Sequence, residues 1–132
     1  MNTVLKRGLS ALVLTVAFAI PAYAQPVTQA SVTSACAVSA NACIAAQNAY
    51  VAAMRAQGLS AAQIGAAMGA VVAALVNSGV PAATIAAAAG NSVQYAASPA
   101  QANAFTQIAE VASTGGTIDP VVVQVASSSS PN

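Results

Sequence analysis

The sequence predicts an all-α fold, a small alanine-rich bundle of three to four short helices. Three observations predict it. Alanine makes up 32 of the 108 residues that follow position 24, and alanine is the strongest helix former. Large apolar residues recur at helical spacing through the middle of the chain. Capping residues and glycines fall where such helices would begin and end. An extended N-terminal arm and a disordered C-terminal tail are expected to flank the bundle.

The first 24 residues read as a cleaved signal peptide. Lys6 and Arg7 form the basic front. The apolar run Leu9 to Ile20 has the length of a signal core and is too short to span a bilayer. Pro21 breaks it, and Ala22-Tyr23-Ala24 offers small residues at the −3 and −1 positions. The mature chain is therefore expected to start at Gln25 and to be secreted, reaching the periplasm or the extracellular space.

Residues 25–40, rich in Gln, Thr, Ser and Pro, are expected to form the extended arm. The helical domain is expected to occupy residues 41–113. Its first helix runs from Asn41 to Gln57, with Ile44, Val51 and Met54 near one face and Gly58 as its stop. The second begins at Ser60, where Ser60-x-x-Gln63 is a capping box. Ile64, Met68, Val71, Val72, Leu75 and Val76 then form an apolar stripe of helical period, and Asn77-Ser78-Gly79 ends it. The third begins at Pro81 and turns Ile85, Ala89 and Val93 inward. A weaker helix opens at Ser98-Pro99, with Phe105, Ile108 and Ala112 inward.

Residues 58–69 match residues 79–90 at an offset of 21, which suggests stacked repeats. Alanine bias alone also generates such matches. The tail, residues 114–132, opens on Gly115-Gly116. In it, Asp119-Pro120 could cap a short helix, but Val121, Val122, Val123 and Val125 favour an extended segment. SSSSPN closes the chain.

Cys36 and Cys43 are the only cysteines. Export would place them in an oxidising compartment, where a disulfide is expected. On one continuous helix their Cα atoms would stand about 10.5 Å apart at about 1.5 Å per residue, beyond the roughly 7 Å reach of a bridge. Either a helix starts between them, with Ser39 or Asn41 as its cap, or the bridge joins two chains. The first is the expectation.

Charge excludes more functions than any motif suggests. Outside the leader only Arg55, Glu110 and Asp119 are ionised, a net charge of −1, and there is no histidine. One cation cannot neutralise a phosphate backbone, so no nucleic-acid partner is expected. The likeness of Leu59–Gly69 to a helix-turn-helix segment is set aside on the same ground. Without histidine no Ser-His-Asp or Cys-His arrangement exists. Glu110 and Asp119 read as a helix-end charge and an N-cap. No catalytic residue, cofactor site or metal site is expected, and the chain is not expected to be an enzyme.

Gly65, Gly69 and Ala73 recur at spacing four, a flat face that lets a second helix backbone approach. It reads either as packing within the bundle or as an assembly face. The leading functional expectation is an exported structural or interaction protein that self-associates through such Ala/Gly faces or meets an envelope protein. A membrane-active, toxin-like protein is the alternative, and contact with a membrane is not favoured because basic residues are lacking. An ice- or surface-binding protein is the third, weakened by irregular threonine spacing.

Overall fold

The computed structural model describes residues 27–128; residues 1–26, which include the expected signal peptide, and residues 129–132 of the expected tail lie outside it. The described residues are all-helical, in six α-helices: α1 Gln29–Val38, α2 Ala40–Ala56, α3 Ala61–Ser78, α4 Ala82–Ser92, α5 Pro99–Ser113 and α6 Pro120–Ser127. A 3-10 turn, Val93–Tyr95, continues α4. The class is the predicted one, and the count exceeds the expected three to four. The two additional helices lie where an extended arm and a flexible tail were expected.

In the arm, Thr28 caps α1: its hydroxyl accepts from Ser31 N at 3.3 Å, and Ser31 Oγ accepts from Thr28 N at 2.9 Å. This is a capping box with serine in place of the usual Glu or Gln, a weaker sequence signal. Val32 and Cys36, one turn apart, are both fully buried and hold α1 on the core. In the tail, Asp119 caps α6, accepting from Val121 N at 2.8 Å, and Pro120 occupies the first turn. Val122, Val123 and Ala126 then pack on the core. Burial on one face outweighs the β-branched preference for extension.

The predicted helices appear close to their expected bounds. Gly58 (φ 78°) and Gly79 (φ 72°) close α2 and α3 in the left-handed conformation, which a side chain would oppose. At Gly58 the closure is a Schellman motif, with Leu59 N donating to Met54 O at 3.1 Å and Gly58 N to Arg55 O at 3.0 Å. Ser60 and Gln63 form the expected capping box of α3.

α3 is the central element and contacts α1, α2, α4 and α6. Its Met68, Val71, Val72 and Leu75 are fully sealed, with Ile64 nearly so. Val76 departs from the expected stripe and is only half-buried at its edge. Phe105, Ile108 and Ala112 of α5 and Ile85 and Ala89 of α4 point inward as expected. On α2 the buried face is Cys43, Gln47, Val51 and Met54, with Ile44 half-buried. The 21-residue match places Ile64 and Ile85, and then Met68 and Ala89, at equivalent buried positions. The units diverge afterwards: α3 runs on to Ser78, whereas α4 gives way to the 3-10 turn at Val93.

Candidate functional site

The two cysteines settle their own geometry. Ser39 breaks the chain between α1 and α2: its extended backbone ends one helix and its side chain accepts from Ala42 N at 3.1 Å to start the next. The break folds α1 back on α2 and brings the Cα atoms of Cys36 and Cys43 to 4.0 Å, joined by a disulfide within the chain. Both are buried. Of the two expected caps, Ser39 is the one used, and Asn41 lies inside the helix.

Gly65 and Gly69 are buried, and the chain itself covers them. A Cβ at Gly65 would lie 2.6 Å from Gln101 Oε1 and 2.9 Å from Ala97 Cβ. A Cβ at Gly69 would lie 2.7 Å from Ser127 Cα, and closer still to Ala126 O. Ala73, the third small residue, is half-buried. The glycines therefore admit the segment before α5 and the end of α6, and this part of the face is taken up within one chain.

Gln101 ties that junction together. Its side chain is buried and all its polar atoms have partners. Nε2 donates to Gly65 O at 2.9 Å and to Ala126 O at 2.6 Å, and Oε1 accepts from Ala97 N at 2.7 Å. One amide thus links α3, α5 and α6. Ser98-x-x-Gln101 has the same spacing as the capping box Ser60-x-x-Gln63, and Ser98 does cap α5. Gln63 turns back to Ser60 N, whereas Gln101 turns inward. That repeated Ser-x-x-Gln spacing was the available signal for a residue the sequence did not mark out.

A second buried glutamine, Gln47, links α2 to α4. Nε2 donates to Ala88 O at 3.3 Å and Ser92 Oγ at 3.2 Å, and Oε1 accepts from Asn91 Nδ2 at 3.0 Å. The network continues to the surface. Asn48 Oδ1 accepts from Asn91 Nδ2 at 3.1 Å and from the Tyr95 hydroxyl at 2.8 Å, and Asn91 Oδ1 accepts from Gln94 Nε2 at 2.9 Å. Beside it, the Arg55 guanidinium stands 5.6 Å from the centre of the Tyr95 ring, a cation–π contact. Nothing in the residue pattern marked this cluster: Gln47-Asn48 and Asn91-Ser92 are neighbours in sequence, but the two pairs lie on different helices more than forty residues apart and meet only in the fold.

Among the described residues no three His, Cys, Asp or Glu side chains stand together as metal ligands. Glu110, on α5, and Asp119, the cap of α6, are exposed. One described helix, α3, is long and apolar enough to cross a membrane by length and composition; in the fold it forms the centre of the bundle. Comparison of the chain with protein-family models, with curated proteins and with solved structures finds no match.

Proposed function

We propose that this chain is exported and acts, without catalysis, as a structural or interaction protein of the envelope or the space outside it. The observation that carries this reading is the surface. After removal of the leader, three ionised side chains remain, and they are spread over α2, α5 and the turn before α6. Such a surface lacks the repulsion that keeps small domains apart. It meets its partners through alanine, serine, threonine and amide side chains, and its own copies are the first candidates. The glycine face is not the route, because α5 and α6 fill it. Self-association uses outward positions such as Val121 and Val125 of α6 or the exposed alanines of α2 and α5.

The test is to express the full chain, recover the exported product, and measure its mass and its size. A mature N-terminus at Gln25 and concentration-dependent oligomers, stable in salt and independent of lipid, are the expected outcome. A monomer at millimolar concentration would refute self-association. A second reading, insertion into membranes, is favoured by the length and apolarity of α3. Its test is leakage from vesicles by the same preparation, and leakage at micromolar protein would favour insertion over assembly.

A further inference from the structure

A cleft of about 250 Å³ opens between the end of α2, the start of α3 and the 3-10 turn. Leu59, Ile64 and Ala96 give it apolar walls, and Arg55, Gln94 and Tyr95 a polar side. Arg55 is the sole cationic side chain beyond residue 24, and no carboxylate lines the cleft. Two of the three polar residues, Gln94 and Tyr95, are braced from behind, and Arg55 lies over the ring of Tyr95. Tyr95 is held by Asn48, Asn48 by Asn91, and Asn91 by the buried Gln47, while Gln94 is tied to Asn91. Side chains already ordered lose little freedom when a ligand arrives.

We propose that this cleft binds a small organic carboxylate. The guanidinium matches a planar carboxylate as a two-pronged donor. Tyr95, Leu59 and Ile64 take a short aromatic or aliphatic body. The volume lies below the roughly 300–1,000 Å³ of drug-sized sites, which suits a small ligand such as benzoate. A single cation balances one negative charge, so a dianion such as phosphate would stay half-uncompensated. Arg55 also lies in the last turn of α2, where a cation favours the helix end. That structural role needs only the charge, whereas the carboxylate site needs the fork. The proposal does not rest on self-association.

The experiment is a two-dimensional NMR titration of the mature chain with benzoate, benzamide and inorganic phosphate at low salt. Benzoate is expected to give saturable shifts centred on Arg55, Gln94 and Tyr95. Benzamide, the neutral near-isostere, is expected to bind at least tenfold more weakly. Arg55→Gln is expected to weaken benzoate at least tenfold. Arg55→Lys keeps the charge and the helix-end contact, and is expected to weaken benzoate several-fold with unfolding unchanged. Equal shifts from benzoate and benzamide, tighter binding of phosphate, shifts centred elsewhere, or full binding by Arg55→Gln would each overturn the proposal.

Discussion

Replacing Gly69 by alanine separates two effects that usually arrive together. Alanine is favoured over glycine in a helix interior by up to about 1 kcal/mol. At Gly69 the new methyl would lie 2.7 Å from Ser127 Cα and 2.8 Å from Ala126 C. Both are backbone atoms of α6, so no flexible side chain can yield. Overpacking of this kind costs about 1–3 kcal/mol. Gly90, on α4, provides the matched control: its added Cβ meets nothing within 4 Å and its φ is not positive. Gly90→Ala should therefore stabilise by up to about 1 kcal/mol. Gly69→Ala should be less stable than Gly90→Ala by the steric term alone, about 1–3 kcal/mol. For a domain of this size that is a gap in melting temperature of at least about 4 °C, since each kcal/mol moves the midpoint by about 4–8 °C. Urea unfolding of both variants, followed by circular dichroism in oxidising buffer, measures the free-energy gap, and a thermal scan of the same samples measures the gap in melting temperature. Hydrogen exchange should also show amides of α6 losing protection in Gly69→Ala before those of α3. Equal stability of the two variants would refute the reasoning, because it would mean that α6 does not sit against Gly69.

Three further outcomes follow from the same packing. Replacing both Cys36 and Cys43 by alanine should cost about 2–3 kcal/mol, the loop-closure value for a short loop, and protease should then cut first within α1. Gln101→Leu removes the partners of Ala97 N and Ala126 O; leaving such groups buried costs about 1–3 kcal/mol each, so the urea midpoint should fall with α6 the first segment to exchange. Asp119→Ala removes the N-cap of α6, worth about 1 kcal/mol; a helical signal unchanged in both size and stability would show that packing alone holds α6.

The bundle's interior was legible wherever large apolar residues repeat. Ile64, Met68, Val71, Val72 and Leu75 declare α3, and Phe105 and Ile108 declare α5, because a stripe at helical period has one way to be buried. The caps at Ser60 and Ser98 and the stops at Gly58 and Gly79 followed from local chemistry, which acts over four or five residues. The Cys36–Cys43 spacing already required either a break between them or a bridge between chains, since a straight helix holds the two too far apart.

What a stripe of one element cannot state is which other element lies on it. Whether Gly65 and Gly69 face a second chain or their own was open in the sequence; contact with Ala97, Gln101 and Ala126 decided it, across separations of more than thirty residues. The same contacts decided α6, whose valines locally favour extension and become helical because one face meets the core. Gln47 and Gln101 look like ordinary surface residues until the partners that satisfy their amides are brought beside them. The near-absence of charge was determined by composition alone, and the expectation of a leader rests on residue order alone. The six-helix packing, the filled glycine face and the braced cleft at Arg55 depend on residues distant in the chain meeting in space, and only the tertiary structure brings them together.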